Sequence, residues 1–349
     1  MIKRRQTRAV QVGAVTIGGG APVSVQTMVK VDSHDVEACV RQILQFEQAG
    51  AQIVRIGFLD LDSVRNISAI KSQVHVPLVA DIHFEAELAL EAIRQGIDKL
   101  RINPGNIGSR EKVEAVVTAA RAREIPIRIG VNAGSLQKDI LARFGHPTPE
   151  ALVESAVQHI QILEDLDFHD IVVSLKMSDV PKMVRAYQLF SERFDYPLHV
   201  GVTEAGPGLS STVKSSMGIG SLLLQGIGDT IRVSMTGDGV DEVKVGREIL
   251  KHLGLRQEPI LISCPTCSRT QWDLLPVAER VQAYLEKLDK PLKVAVMGCA
   301  VNGPGEAREA DIGIAGGKGM GIIFVHGQVV ATLPQEKLYD ELIRLIEEM

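Results

Sequence analysis

Short β-branched runs alternate with longer segments of helical spacing from residue 22 to residue 253, and this alternation limits the possible folds most. Eight strand–helix units follow one another, with predicted strands at residues 23–28, 53–56, 78–81, 99–102, 127–131, 171–175, 198–202 and 230–233. Apolar strands that alternate with helices predict a parallel sheet covered by helices. Eight such units favour a closed (β/α)₈ TIM barrel. A doubly wound open sheet is the alternative, but the glycine-rich turn typical of it does not follow residue 28.

The two ends of the chain depart from this pattern. Residues 1–21 predict a hairpin around Gly13, which either plugs the bottom of the barrel or forms a loose arm. After residues 254–263 the pattern predicts a small α+β domain, with strands at residues 260–263, 292–297, 311–315, 321–325 and 329–333. The predicted organisation is therefore an N-terminal hairpin or arm (1–21), a substrate-binding TIM barrel (22–256) and a C-terminal domain (257–349).

Composition excludes several classes of protein. The formal net charge is −5 at pH 7, without the basic excess expected of a nucleic-acid binder. The basic start of the chain precedes a glycine-containing stretch that is a poor signal peptide. No run of ~18 apolar residues predicts a transmembrane helix. The expected location is the cytoplasm, and neither a membrane nor a nucleic acid is an expected partner.

Polar side chains stand at or just after the end of every predicted strand. Four of these residues are cationic: Arg55, Arg101, Arg128 and Lys176. Because barrel enzymes place their chemistry at the carboxyl ends of the strands, these cations face one mouth. Arginine binds phosphate oxygens through two parallel hydrogen bonds, so the set predicts a site for a small phosphorylated substrate. Ordinary ion pairs with Asp81 or Glu204 are the alternative interpretation.

Three other polar residues leave two interpretations open. Asp81 and His83 point the same way on a strand and form either a metal or acid/base pair or a plain hydrogen-bonded pair. Glu204 lies in a glycine-rich loop above the barrel and is either a general acid or the partner of a lysine.

Three of the four cysteines lie within one short stretch of the C-terminal domain. Cys264 and Cys267 form a C-x-x-C pair after a predicted strand, and Cys299 follows another strand. Clustered cysteines outside a secreted scaffold favour metal or redox chemistry. A structural zinc site would require a fourth ligand, and a redox pair would leave Cys299 unexplained. An iron–sulfur cluster accounts for all three cysteines.

The fourth cluster ligand must come from elsewhere, since a [4Fe–4S] cluster usually has four. Glu306 is the nearest candidate, because the loop through Gly303, Pro304 and Gly305 could return its carboxylate to the cluster. Cys39 is the weaker candidate, because its helical spacing with Ile43 and Phe46 is typical of a core residue.

Long motifs along the whole chain resemble the bacterial 4-hydroxy-3-methylbut-2-en-1-yl diphosphate synthases. They are Ala80-Asp-Ile-His-Phe84, Leu100-Arg-Ile-Asn-Pro-Gly-Asn106, Arg128-Ile-Gly-Val-Asn132, Thr203-Glu-Ala-Gly-Pro-Gly208, Ser263-Cys-Pro-Thr-Cys-Ser-Arg-Thr270 and Met297-Gly-Cys-Ala-Val-Asn-Gly-Pro-Gly-Glu306. The resemblance implies the short two-domain form, without the central insert of plant-type relatives. It implies reductive ring opening and dehydration of 2-C-methyl-D-erythritol 2,4-cyclodiphosphate to 4-hydroxy-3-methylbut-2-enyl diphosphate, on the non-mevalonate route to isoprenoids.

The same resemblance implies roles for individual residues. Cys264, Cys267, Cys299 and Glu306 would hold a [4Fe–4S] cluster, and Glu204 would lie near the reacting carbons. The substrate diphosphate would contact Arg55, Arg101, Asn103, Arg128, Asn132, Lys176 and Ser234. Two electrons would come from flavodoxin or ferredoxin. The family also implies a homodimer in which the cluster domain of one chain lies over the barrel of the other. The alternative is a zinc-stabilised TIM-barrel lyase or transferase that acts on a phosphorylated substrate.

Overall fold

A computed structural model describes residues 2–83, 85–299 and 308–349. The chain divides into two compact units, the first ending at Leu255 and the second beginning at Arg256. Each unit has its own hydrophobic core. The two are therefore described separately.

Eight parallel strands form the barrel of the first unit. They are β3 (Ser24–Met28), β4 (Ile53–Gly57), β5 (Leu78–Asp81), β6 (Lys99–Ile102), β7 (Ile127–Asn132), β8 (Ile171–Lys176), β9 (His199–Val200) and β10 (Thr230–Ile231). The sheet order is β8-β7-β6-β5-β4-β3-β10-β9. A parallel bridge between Val173 of β8 and Leu198, just before β9, links the two edge strands. The predicted (β/α)₈ fold is confirmed; the last two strands are two or three residues shorter than expected, and β3 is one residue shorter.

Helices cover the outside of this barrel. They are α1 (Val36–Gln48), α2 (Leu61–Val64), α3 (Ile67–Lys71), α4 (Ala86–Arg94), α5 (Arg110–Ala122), α6 (Lys138–Phe144), α7 (Pro149–Glu164), α8 (Val180–Ser191), α9 (Gly208–Leu224) and α10 (Gly239–His252). One helix predicted at residues 62–73 is instead the pair α2 and α3. Between them, the Asn66 side chain donates to the carbonyl oxygens of Ser33 and His34. The sequence did not predict α6.

The N-terminal hairpin closes the bottom of the barrel. Its strands are β1 (Ala9–Val12) and β2 (Val15–Gly18), which pair antiparallel. Val10, Val12 and Ile17 pack against Ile53, Val79 and Val172, which are side chains of the barrel strands. Burial of these apolar groups holds the hairpin in place, at roughly 25 cal/mol for each Å² removed from water. The hairpin is thus a plug, and the loose-arm alternative is wrong.

The described residues of the second unit form a five-stranded mixed sheet with two α-helices. Its elements are β11 (Ile260–Ser263), α11 (Leu274–Leu285), β12 (Lys293–Met297), β13 (Ile312–Gly316), β14 (Met320–Val325), β15 (Gln328–Pro334) and α12 (Leu338–Glu348). Strands β11, β12 and β13 are parallel, and β13, β14 and β15 are antiparallel. Apolar faces of both helices share one core with the sheet. None of the helices in the described residues has the length and hydropathy needed to cross a lipid bilayer.

Candidate active site

The inside of the barrel carries a cluster of positive charge. Side chains alternate along a strand, so every second residue points inward. Six inward-facing cations come from the strands or the residue directly after one, and we call them the cation cluster: Arg55, Lys99, Arg101, Arg128, Lys176 and Arg232. Two carboxylates face them, Asp81 from β5 and Glu242 from α10. Among the described residues, the cluster therefore has an excess of four formal positive charges.

Asp81 is the counter-ion of two arginines at the mouth. Its Oδ1 lies 3.2 Å from Arg101 Nη1, and its Oδ2 lies 3.6 Å from Arg55 Nε. Burial alone would raise the pKa of this carboxyl, but Arg55, Arg101 and Arg128 lower it to about 2. Asp81 is therefore an anion at neutral pH. His83 also contacts Arg101, at 2.8 Å, so the Asp81–His83 pair is organised around an arginine.

Gly130 of β7 is the point on which two predicted substrate contacts meet. Arg101 Nη2 donates to its carbonyl oxygen at 2.8 Å, and a Cβ at this position would lie 2.4 Å from Arg101 Nε. Only glycine permits this approach. The Asn103 side chain donates to the same oxygen at 3.1 Å and accepts from Gly130 N at 2.9 Å. Asn103 therefore fixes the backbone beneath Arg101, and its contact with the substrate stays a prediction.

Arg128 lies deeper in the barrel and is 1% exposed. Its Nη1 donates to Ser174 Oγ at 2.6 Å. Nε and Nη2 are buried, with no hydrogen-bond partner in the described part of the chain. Burial first, and then Arg55 and Arg101, hold the pKa of Arg128 well below its usual value. Two unsatisfied donors on a buried cation are a costly arrangement that an anion would relieve.

Lys176 ends β8 beside Asn132, its partner in the parallel register with β7. The lysine is buried, whereas Asn132 is half-buried. A Cβ on Gly201 would lie 2.9 Å from Lys176 Nζ, so glycine leaves room for the amine. Burial and the nearby Arg232, Arg128 and Arg55 lower the pKa of Lys176 well below its ordinary value. Lys176 therefore extends the cation cluster to the carboxyl end of β8, where Asn132 lies beside it.

Sequence reasoning missed Arg232 and Glu242. Glu242 is buried on the first turn of α10 and accepts from Thr27 Oγ1 at 3.0 Å and from Arg232 Nη2 at 3.3 Å. Lys30 Nζ lies 3.0 Å from the same carboxylate. A signal for Arg232 was present, since it precedes Ser234 by two residues and the predicted strand at residues 230–233 would put both on one face. Nothing local marks Glu242, because its partners are distant in sequence.

The remaining predicted residues lie on the loops of the mouth. Glu204 is exposed and has a left-handed backbone with φ of +52°. Strain of this kind in a non-glycine residue is concentrated at functional sites. Lys214 Nζ lies 3.3 Å from the backbone carbonyl oxygen of Glu204, so this lysine contacts the backbone and not the carboxylate. Ser234 is half-buried, and its carbonyl oxygen accepts from Ser211 Oγ at 3.0 Å.

The cysteines of the second unit follow neighbouring parallel strands. Cys264 comes directly after β11, and Cys299 comes two residues after β12, the strand paired with it. The carboxyl ends of parallel strands meet at one edge of a sheet, so both lie at the same edge. Cys299 is buried, Cys267 is exposed and Cys264 is intermediate. Cys39, by contrast, is buried in α1, and burial raises the pKa of its thiol to about 11, which confirms a core cysteine.

The surroundings of the three cysteines fit an iron–sulfur cluster. A Cβ on Gly298 would lie 3.3 Å from Cys264 Sγ and 2.8 Å from Thr270 Oγ1, so the glycine keeps this space open. Thr270 Oγ1 is buried without a hydrogen-bond partner among the described residues. Hydrogen bonds from the backbone and side chain of Arg269 lower the pKa of Cys267, which favours the thiolate that iron binds.

The fourth predicted ligand, Glu306, lies outside the described residues. Within the described ranges, no three histidine, cysteine or acidic side chains are close enough together to hold a single metal ion. The fit to a cluster therefore rests on the open space at Gly298, the unsatisfied hydroxyl of Thr270 and the chemistry of the three thiols.

Comparison with known proteins gives the same division of the chain. The GcpE TIM-barrel domain matches residues 7–247, and the GcpE protein C-terminal domain matches residues 260–348. A dihydropteroate synthase from Yersinia pestis is similar in structure, with a TM-score of 0.50 and 13% identity over 71% of this chain and all of that chain. At that identity the likeness shows the fold alone.

Two curated relatives cover almost the entire chain. One from Clostridium perfringens is 56% identical over 347 residues, and one from Thermodesulfovibrio yellowstonii is 57% identical over 347 residues. In both cases 99% of this chain and 99% of the relative are covered. Both are named 4-hydroxy-3-methylbut-2-en-1-yl diphosphate synthase (flavodoxin). The chain therefore belongs to the GcpE family of 4-hydroxy-3-methylbut-2-en-1-yl diphosphate synthases.

Proposed function

We propose that this chain converts 2-C-methyl-D-erythritol 2,4-cyclodiphosphate to 4-hydroxy-3-methylbut-2-enyl diphosphate by reductive ring opening and dehydration. This reaction is supported by a relative named 4-hydroxy-3-methylbut-2-en-1-yl diphosphate synthase (flavodoxin), to which the chain is 56% identical over 347 residues. The observation in the structure that carries the proposal is the cation cluster, an excess of buried positive charge that faces the mouth of a barrel. Such an excess is expected of a site for a small, highly charged anion.

The barrel residues bind and orient the diphosphate. Arg55, Arg101 and Arg128 offer guanidinium donors, and Lys176 adds an amine at the end of β8. Asp81 holds Arg55 and Arg101 in position, so these arginines need little rearrangement when the substrate arrives. Each charge-assisted hydrogen bond contributes about 1.5–3 kcal/mol. Asn132 and Ser234 complete the contacts at the rim, and Asn103 acts through Gly130 as a positioning residue.

Glu204 is placed to handle a proton at the mouth. Ring opening with loss of water consumes two electrons and two protons, because the substrate gains two hydrogens and loses H₂O. An exposed carboxylate on a strained loop that follows β9 suits proton delivery. A carboxylate-free variant, Glu204→Gln, keeps the shape of the side chain and should bind substrate while losing turnover.

Cys264, Cys267, Cys299 and Glu306 are the proposed ligands of a [4Fe–4S] cluster. When bound, such a cluster supplies electrons one at a time and a Lewis-acidic iron. The lowered pKa of Cys267 favours its thiolate, and Thr270 offers a hydroxyl donor to a sulfur atom nearby. The C-terminal unit is on this proposal the cluster domain, and the barrel is the substrate-binding domain.

Flavodoxin is the proposed electron donor, in keeping with the names of the relatives, and ferredoxin is the alternative. We also propose a homodimer in which the cluster of one chain serves the barrel of the other. Mixing two variants tests this arrangement, at a substrate concentration well below the Kd of Arg128→Met so that neither variant is active alone. Cys264→Ser retains a working barrel, and Arg128→Met retains a working cluster. Random reassociation should restore about a quarter of the wild-type activity if sites are shared between chains. No recovery would show that each chain is complete by itself.

Anaerobic purification tests the proposal as a whole. The expected protein is brown, contains about four irons per chain and changes its spectrum when the cyclodiphosphate is added. A colourless protein with one zinc would instead support the zinc-stabilised lyase or transferase. A brown protein whose spectrum does not change when the cyclodiphosphate is added would support an electron carrier that does not bind this substrate.

A further inference from the structure

The charge of the barrel interior does not balance without a ligand. Six cations of the cation cluster face Asp81 and Glu242 in a space closed below by the β1–β2 plug. Four of the six are arginines, which stay protonated in proteins. Among the described residues, the excess can therefore be lowered in the unliganded protein only by deprotonation of the two lysines. Lys99 and Lys176 are the amines in question.

Charged groups surround Lys176 from several strands. Arg232 follows β10, Arg128 comes from β7 and Arg55 from β4, while Glu242 of α10 is the opposing anion. His199 of β9 also faces it, and both ring nitrogens of His199 lack a hydrogen-bond partner among the described residues. Burial and these cations hold the pKa of Lys176 well below its usual value. A neutral amine is the form that this environment favours.

Lys99 is in a similar position at the start of β6. It is fully buried, and its Nζ has no hydrogen-bond partner in the part of the chain that the structure describes. Burial lowers the pKa of Lys99, and the positive charges of Arg128 and Arg55 lower it further. An ammonium ion here would be uncompensated, which costs several kcal/mol.

We propose that the barrel takes up protons when it binds its substrate: Lys99 and Lys176 are neutral amines in the unliganded barrel and become ammonium ions when a diphosphate dianion occupies the mouth. This inference rests on the proposed function. An opposite charge within about 4–6 Å favours the charged form of a titrating group. The incoming anion would therefore oppose the effect of the arginines, most directly on Lys176 at the end of β8 and less directly on Lys99 at the start of β6.

The cyclodiphosphate is a clean probe of this linkage. Each of its two phosphorus atoms carries one ester bond and one anhydride bond, so each keeps a single acidic proton that is lost far below neutral pH. The substrate enters and remains a dianion, and any proton taken up must go to the protein. Because binding adds protons, affinity should fall as pH rises through the range in which the free lysines titrate. The two protons that the reaction consumes could then enter the barrel together with the substrate.

Titration calorimetry tests the proposal on the oxidised holoprotein, which binds the cyclodiphosphate without turning it over when no reductant is present. The experiment is repeated at one pH in buffers of different ionisation enthalpy. A plot of observed against buffer enthalpy has a slope equal to the number of protons taken up. We expect about one to two protons per barrel. A slope of zero with tight binding would overturn the proposal and leave the function intact, whereas no binding at all would overturn the proposed function.

Three variants assign the protons. Lys99→Met and Lys176→Met should each lower the slope by up to about one proton. Lys244→Met, on the exposed face of α10, is the matched control and should keep the wild-type slope. A wild-type slope in both barrel variants would overturn the assignment to the lysines. The slope of the wild-type protein decides the main claim even if a variant fails to fold.

Discussion

The barrel and the C-terminal unit both place chemistry at the carboxyl ends of parallel strands, but they prepare it differently. In the barrel, long charged side chains are already fixed by Asp81, Gly130, Ser174 and Glu242. In the C-terminal unit, short thiols border an open space at Gly298, and the hydroxyl of Thr270 has no partner within the described ranges. The barrel arginines are held in place before a ligand arrives, although Arg128 Nε and Nη2 lack partners among the described residues. On the proposed function, the cysteine edge is completed only by the cluster.

Loss of one cysteine ligand should separate the two regions most clearly. Cys264→Ser is expected to abolish iron binding and to lower activity by more than the roughly 10–100-fold that loss of an outer-shell partner costs. The barrel should keep its fold and its affinity for the cyclodiphosphate. Cys39→Ala is the matched control and should retain iron. Iron analysis and calorimetry check both regions, and full iron content in Cys264→Ser would contradict the assignment.

Removal of a barrel cation should have the opposite pattern. Arg128→Met is expected to weaken binding of the cyclodiphosphate by about 10–100-fold, since a charge-assisted bond is worth about 1.5–3 kcal/mol. Iron content should not change. Ser174→Ala removes only the partner of Arg128 Nη1 and should have a smaller effect on affinity. Equal affinity in wild type and Arg128→Met would exclude Arg128 from the site.

Acid should weaken the barrel through Asp81. Its pKa is about 2 in the folded protein and 3.8 in the reference state, so its ionised form contributes stability above pH 3.8. That contribution, on the order of 2 kcal/mol, should be lost as pH falls from 3.8 towards 2. Hydrogen exchange of β5–β7, corrected for intrinsic rates, measures it. Asp81→Asn should be less protected at neutral pH and approach the wild type in acid, so parallel pH profiles would contradict the ion-pair role.

The smallest effect is expected at Thr270. Thr270→Val preserves the shape of the side chain but removes the unsatisfied hydroxyl. Without iron, the variant should be as stable as the wild type or up to about 1 kcal/mol more stable. With the cluster bound, loss of a donor near Cys264 should make the cluster harder to reduce. Denaturation of the apoprotein and a redox titration of the holoprotein check these directions, and an unchanged potential would remove Thr270 from the cluster environment.

Most of the fold could be predicted because its signals are local. Strand β11 begins and ends where the sequence predicts, and every barrel strand was identified from its apolar run. The break between α2 and α3 could not be predicted, because it depends on the Asn66 amide reaching the distant carbonyl oxygens of Ser33 and His34. The sequence likewise could not decide whether the hairpin plugs the barrel, because that depends on its side chains packing against Ile53, Val79 and Val172.

The candidate site was predicted from polar residues at or near the ends of the predicted strands. Arg101 and Lys176 lie near the ends of their strands, whereas Arg128, predicted in the same way, is the second residue of β7 and lies deeper in the barrel. Position in the sequence could not show that Asn103 holds Gly130. Its two hydrogen bonds to the Gly130 backbone depend on how the Asn103 side chain and the β7 backbone are oriented in the folded barrel. Lys99 was missed as a site residue because the start of a strand is usually structural. These cases show that sequence locates the charges, whereas burial and partners decide what each charge can do.

Phosphorus NMR of a single reaction tests the central claim most directly. The anaerobic, reconstituted holoprotein is reduced with flavodoxin and incubated with the cyclodiphosphate. The account predicts that the two resonances of the cyclic diphosphate disappear and that those of an open diphosphate monoester replace them, in wild type but not in Cys264→Ser. Unchanged cyclodiphosphate in the presence of an intact, reducible cluster would contradict the account.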